Sequence, residues 1–298
     1  MQVDAASLAR LGTMAVRARV LVQGALSGLH RASHRGSSVE FAEHKQYSPG
    51  DEIRHIDWKS YAKLGRYFVK QFDQESQLTV YLVLDASGSM NFAGGGASKL
   101  EYAATALASL AYLVSQQQDR IGLVIFGGSN TVIPATSRVK LRDIMDALDA
   151  ANTKGGSGNH SVSDALQRIA ELNRRRRALV VLGTDLFDGS GAAIPALKNL
   201  RAAGHDVSVL QTIAPDELTF PYDGMTLFES LESDHKLLAN PAAIRSEYLR
   251  KMQTFLDDTK QQLQRAGLDY HLVATNTPVE TTLRELLIAR NALMRGRA

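Results

Sequence analysis

The sequence predicts an α/β fold, a doubly wound and mostly parallel sheet with an N-terminal β-containing subdomain. Three observations predict it. Leu78 to Asp85, Leu-Thr-Val-Tyr-Leu-Val-Leu-Asp, is a near-continuous apolar run rich in β-branched and aromatic residues, the pattern of a strand buried on both faces. Leu100, Ala103, Ala104, Leu107, Leu110, Ala111 and Val114 then fall on one helical stripe, entered through Gly94 to Ser98. Ile121 to Phe126 is a second buried strand. Strand, helix and strand at this spacing form a βαβ unit, whose crossover is right-handed and whose strands are parallel.

The alternation continues along the chain. Asn130 to Pro134 is expected to pair antiparallel with the preceding strand through the Gly127-Gly128 turn, closing one sheet edge. Helical stripes follow at Leu141, Ile144, Met145 and Leu148, and again at Val162, Ala165, Leu166, Ile169 and Leu172. Strands recur at Ala178 to Gly183, Asp206 to Thr212 and Asp269 to Thr275, separated by helices around 192–203 and 242–266. Upstream, Val39 to Tyr47 and Arg66 to Phe72 alternate as strands, with Pro49-Gly50 as a turn, Asp57 as a helix cap and Trp58 as a core residue. Leu283, Leu286, Leu287 and Leu293 predict a final amphipathic helix, packed on the sheet or recruiting a partner. The expected organisation is 1–76 as an N-terminal helix and subdomain, 77–277 as the sheet domain and 278–298 as the last helix.

Composition narrows the function classes. The 298 residues are 44% hydrophobic and 22% charged, an ordinary globular balance that supplies a sizeable core. With no cysteine there is no disulfide framework, thiolate metal site or cysteine nucleophile. A formal net charge of +3 gives no strong drive toward phosphate backbones, and Arg174 to Arg177 after a helix read as a solvated cap, so no nucleic-acid partner is expected. Met1 to Arg10 carries Asp4 and does not read as a secretory signal, and Tyr102 to Val114 is too short to cross a bilayer. A soluble, cytoplasmic protein is the expectation. Gly94 to Lys99 is glycine-rich before a helix but lacks the G-x-x-x-x-G-K-[ST] spacing of a nucleotide site.

The chemistry sits at the strand ends. A doubly wound sheet binds ligands outside the carboxyl ends of its strands, where the strand order reverses. The first buried strand ends in Asp85-Ala86-Ser87-Gly88-Ser89-Met90, which sets one carboxylate and two hydroxyls two residues apart on a tight turn. A second strand ends in Thr184-Asp185, and the loop before the helix at Val162 carries Ser161. Carboxylate, hydroxyl and water oxygens are hard ligands suited to Mg²⁺ or Mn²⁺, and Mg²⁺ takes only one or two carboxylates. The plain alternative is that Asp-x-Ser-x-Ser only caps the following helix.

These three segments resemble the metal-ion-dependent adhesion site of von Willebrand factor A-type domains, themselves Rossmann-like doubly wound sheets. The resemblance implies Asp85, Ser87 and Ser89 as the first ligand segment, Ser161 in the family's threonine position and Asp185 as the third-loop carboxylate. That family usually has threonine in a Gly-Gly-Thr context, whereas this chain reads Gly-Asn-His-Ser. Upstream, Tyr47-Ser-Pro-Gly-Asp-Glu-Ile-Arg-His-Ile-Asp-Trp58, followed by Tyr61-Ala62 and Tyr67 to Phe72, resembles the signature of a bacterial family, domain of unknown function number fifty-eight, that accompanies MoxR-type AAA+ ATPases.

The resemblances imply a non-catalytic, cation-dependent protein-interaction module that assembles with a MoxR-type AAA+ ATPase or its client. From the residues themselves, no general base with an orienting partner is evident, so the parts for nucleophilic catalysis are incomplete. The rival expectation is a metal-dependent hydrolase in which Asp85 and Asp185 hold a cation that activates water. A scaffold with an empty site is the third.

Overall fold

The computed structural model describes residues 14–32, 44–46, 61, 67–70 and 78–295, less 118, 129, 137–140, 156–160 and 174–176. The chain divides into two compact units, one of Met1–Leu29 with Leu78–Ala298 and the other of His30–Gln77.

The larger unit holds a six-stranded sheet. Its strands are β3 (Thr79–Asp85), β4 (Arg120–Phe126), β5 (Thr131–Thr136), β6 (Leu179–Thr184), β7 (Asp206–Ile213) and β10 (Asp269–Ala274), in the order β10-β7-β6-β3-β4-β5. Every pairing is parallel except β4 with β5. The doubly wound α/β fold expected from the sequence is the observed one, including the antiparallel edge after Gly127-Gly128. Pro134 is tolerated in β5 because that strand is the sheet's edge.

Helices cover both faces. α2 (Lys99–Gln116), α3 (Leu141–Lys154) and α8 (Val279–Arg295) lie on one, and α4 (Val162–Leu172), α5 (Ala193–Ala202) and α7 (Pro241–Arg265) on the other. Side chains of a strand point alternately to its two faces. Val80, Leu82 and Leu84 of β3 therefore enter the α2 core, and Tyr81 and Val83 enter the α4 core. From Val80 to Leu84 the strand fills both cores with apolar and aromatic side chains, and its next residue is Asp85.

α1 (Met14–Ala32) also belongs to this unit through Leu29. Met14, Ala18, Leu21 and Val22 form a stripe buried in the α2 core. Two polar contacts fix it: the Met14 backbone N–H donates to Asp149 Oδ2 of α3 at 3.1 Å, and Arg17 pairs with Glu101 of α2 at 2.9 Å. This grouping differs from the sequence partition at 76, because Arg17 and Arg19 interrupt the apolar run without interrupting the buried face. α8 likewise inserts Leu283 and Leu286 into the same core, and Tyr102 and Thr282 join their hydroxyls at 2.8 Å.

In the smaller unit, β1 (His44–Gln46) pairs antiparallel with β2 (Phe68–Lys70), and the Tyr61 and Tyr67 rings stack at 4.3 Å. Pro49-Gly50, Asp57 and Trp58 lie outside the described residues. Among the described residues, no helix is long and apolar enough to cross a membrane.

One packing detail makes stability depend on pH. His205, buried in the α5–β7 turn, accepts a hydrogen bond at Nδ1 from the Ala178 N–H at 3.2 Å. Burial lowers its pKa, outweighing the charge of Asp206. The unfolded chain therefore takes up this proton first as pH falls, so stability present above the ordinary histidine value is lost below it. Urea midpoints at pH 7.5 and 5.5 should separate, and the separation should shrink in His205→Asn, whose oxygen can accept the same bond without titrating.

Candidate metal centre

The strand order places the reversal between β3 and β6, since the chain runs outward from β3 to β4 and β5 and then returns to β6. β3 ends in Asp85, and Asp185 directly follows the last residue of β6, Thr184.

Asp85, the last residue of β3, is 4% exposed. Its Oδ1 accepts from the Ser87 backbone N–H at 2.9 Å, and its Oδ2 accepts from the Thr184 hydroxyl at 2.6 Å. Both donors are neutral. Burial first, and the nearby charge of Asp185 second, push the carboxyl up to about 6. Among the described residues, no ion pair involves Asp85.

The turn beyond Asp85 is held from below. Ala86 donates its N–H to the Phe126 carbonyl at 2.7 Å, carrying the β3–β4 contact one step past the strands. Gly127 lies directly beneath, with φ of +84° and no space for a side chain, since a Cβ there would stand 2.4 Å from the Ser87 nitrogen. Ser87 occupies the N-cap of a short 3₁₀ helix, Gly88–Asn91, yet its hydroxyl makes no capping bond. It faces the Ser89 hydroxyl instead, at 3.2 Å. Both serines are partly exposed, so two hydroxyls and a buried carboxylate converge on a rim open to solvent.

Asp185 follows β6 and is 1% exposed. Oδ1 accepts from the Phe187 N–H at 3.0 Å and Oδ2 from Lys99 Nζ at 2.8 Å. Its carbonyl accepts from Gln211 Nε2 at 2.8 Å, and Gln211 Oε1 accepts from the Tyr270 hydroxyl at 2.6 Å, so β7 and β10 brace the loop. Leu186 carries a φ of +59°, a conformation unusual for a residue with a side chain, and its N–H donates to Thr184 Oγ1 at 3.0 Å. The turn is thereby forced tight enough to bring Thr184 and Asp185 to Asp85.

Sequence reasoning missed two charged residues here. Lys99, at the start of α2, is fully buried, and its ammonium also reaches Glu217 of α6 (Pro215–Thr219) at 2.7 Å while lying 4.9 Å from the Phe187 ring centroid. Burial raises the Glu217 carboxyl above its ordinary value despite this contact. The signal was available: a lysine in the first turn of an apolar helix opposes the helix dipole, so it needs carboxylates nearby.

Ser161 sits at the N-terminus of α4. Its hydroxyl accepts from the Ser163 N–H at 3.0 Å as the N-cap of α4 and meets the Ser163 hydroxyl at 2.5 Å. Gly158, Asn159 and His160 before it lie outside the described residues.

The donor set suits a small hard cation. Among the described residues, no three acidic or imidazole side chains cluster as a metal site, but Mg²⁺ and Mn²⁺ accept hydroxyls and water alongside one or two carboxylates. Lys99 answers Asp185 and Glu217 and leaves the Asp85 charge unbalanced. A divalent cation on the rim beside Asp85, Ser87 and Ser89 would balance it.

Residues 43–255 match the family described as protein of unknown function DUF58, and the chain belongs to that family. It is similar to an uncharacterized protein of Mycobacterium tuberculosis, 27% identical over 270 residues that cover 87% of this chain and 82% of the relative, and the same figures hold for an uncharacterized protein of Mycobacterium bovis. Among solved structures, the conserved hypothetical protein BatB of Bacteroides thetaiotaomicron is 17% identical with a TM-score of 0.48, over 71% of this chain and 98% of that one. An aerotolerance-related membrane protein of Bacteroides fragilis is 20% identical with a TM-score of 0.47, over 70% and 96%. The manganese-loaded TRAP protein of Plasmodium vivax is 22% identical with a TM-score of 0.37, over 45% and 56%.

Proposed function

We propose that this chain is a non-catalytic protein-interaction module whose contact depends on a divalent cation, Mg²⁺ or Mn²⁺, held by Asp85, Ser87 and Ser89 with Asp185 behind them. The observation that carries the reading is Asp85 itself. It is a buried carboxylate with neutral donors on both oxygens, beside two partly exposed hydroxyls, of which the one at the helix N-cap, Ser87, makes no capping bond. When bound, the cation supplies an open coordination position for an acidic side chain of a partner. The chain's own residues do the rest: Thr184 and the Ser87 N–H aim the Asp85 carboxylate, Gly127 keeps the turn seated, and Lys99 confines Asp185. Ser161 completes the five residues expected from the sequence, its hydroxyl keeping a second lone pair beside the one that accepts from the Ser163 N–H.

The partner in this reading is a MoxR-type AAA+ ATPase or its client. The support is the Tyr47 to Trp58 signature, and the setting is the cytoplasm, where such an ATPase finds ATP.

Calorimetric titration with Mg²⁺ and Mn²⁺ tests the site. Wild-type protein should give saturable heat, and Asp85→Ala should give none. Equal heats in the two would place the cation elsewhere, and no heat in either would overturn the reading. Phosphate release and peptide cleavage should stay at background with either metal. Turnover lost in Asp185→Ala would favour the hydrolase.

A further inference from the structure

Between α6 and α7 the chain forms a hairpin, β8 (Thr226–Glu229) and β9 (Lys236–Ala239), in a stretch where the sequence pattern assigns no element. Its base is anchored. Phe228 stacks on Phe220 at 5.6 Å and meets Tyr222 edge-on, while Arg245 donates to the carbonyls of Phe220 and Tyr222. Its tip is knitted to itself: Ser230 donates its N–H to the His235 carbonyl, and the Ser230 hydroxyl accepts from the N–H groups of Glu232 and Ser233.

That tip lies on the rim. Glu232 Oε1 accepts from the Ser89 backbone N–H at 3.3 Å. The Leu231 backbone rests against Gly88 so closely that a Cβ there would stand 2.2 Å from its carbonyl oxygen. Gly88 has an ordinary φ, so the space above it, rather than the backbone conformation, is what requires glycine. The Leu231 side chain is 52% exposed, and every residue from Glu229 to Leu238 is exposed, so no buried apolar anchor holds the tip down. A segment held by few buried contacts opens at small free-energy cost.

We infer that the hairpin is a built-in cover for the rim and that Glu232 is the chain's own acidic ligand there. It takes the place that a partner's carboxylate would take once the tip lifts. This inference rests on the cation reading above and adds regulation to it: a partner must offer an acidic loop in competition with Glu232, and so binds more tightly when the tip is displaced.

The test uses the full chain with Mn²⁺ as the probe, in wild type, Glu232→Gln and Gly88→Ala. The first variant removes the carboxylate, and the second lifts the tip while leaving Glu232 in place. In wild type, Mn²⁺ should slow amide hydrogen exchange in residues 230–235 by about tenfold or more. Neither variant should show that slowing. The water relaxivity of bound Mn²⁺ should be about 1.5-fold higher in both variants, because roughly three retained waters replace two in a six-coordinate shell. Equal relaxivity in all three proteins, with no change in exchange at the tip, overturns the cover and leaves the cation site standing. Retained slowing in Gly88→Ala also overturns it. Failure of Mn²⁺ to bind any of the three overturns both readings.

Discussion

Replacing Lys99 by methionine should destabilise the folded chain by about 3–5 kcal/mol near neutral pH, the effect of removing one partner from a buried ion pair. Lys99 is fully buried and stands between Asp185 and Glu217, at 2.8 and 2.7 Å. Methionine keeps the length and packing of the stem against Phe187 but leaves two carboxylates in a low-dielectric site without a cation. The loss should lessen in acid. Burial already raises the Glu217 carboxyl, and without the ammonium that opposes this it holds its proton to higher pH in the folded chain than in the unfolded one, so falling pH recovers stability. Urea denaturation at pH 7.5 and 5 measures this. The compensated variant Lys99→Met, Asp185→Asn, Glu217→Gln should return close to wild type, because a neutral, hydrogen-bonded trio removes the uncompensated charge. A single Lys99→Met change that leaves the urea midpoint in place would mean that the ammonium is not what holds these loops together.

How far the site was legible depends on which physical signal each residue carried. The rim position of Asp85 and Asp185 was readable because a strand filling two cores shows as an apolar run, and the carboxylate that follows the run marks its carboxyl end. The capping role of Ser161 was not separable by sequence from the ligand role. A hydroxyl just before a helix is the same pattern whether it caps or coordinates, and here it caps. The N-terminal helix was expected, but not the face it buries: Met14, Ala18, Leu21 and Val22 keep the i, i+4, i+7, i+8 spacing, and Arg17 pairs along the helix flank with Glu101.

The hairpin was lost for a different reason. Its strands are four residues each, too short for alternation to stand out, and the serine-rich, acidic segment between them reads as plain loop. Only the fold carries Glu232 back across the sheet's end to Ser89, 143 positions earlier in sequence. Lys99 and Glu232 share this feature. Each acquires its role from a contact with a turn that follows a distant strand.

Asp85→Asn should make the cation-free chain more stable at neutral pH while abolishing its response to Mg²⁺. The ordinary aspartate value is 3.8, and in the fold it rises to about 6, through burial and then through the charge of Asp185. Between those values the folded chain keeps a proton that the unfolded chain has released. The stability from this group is therefore complete below about pH 4 and is lost as pH rises through 6. A shift of about two units corresponds to roughly 3 kcal/mol, an upper bound on what the ionised carboxylate costs the cation-free fold at pH 7. Asparagine does not titrate, and its geometry suits the site: the amide oxygen can accept from the Ser87 N–H, and the amide nitrogen can donate to Thr184 Oγ1. In chelator, urea midpoints of wild type and Asp85→Asn should coincide near pH 4 and diverge by pH 7.5, with the variant higher. Adding Mg²⁺ at pH 7.5 should raise only the wild type, because a cation that balances the carboxylate removes the penalty that burial imposes. Parallel pH profiles in chelator would show that Asp85 ionises in the fold as easily as in water. An Mg²⁺ response retained in the variant would move the cation away from the end of β3.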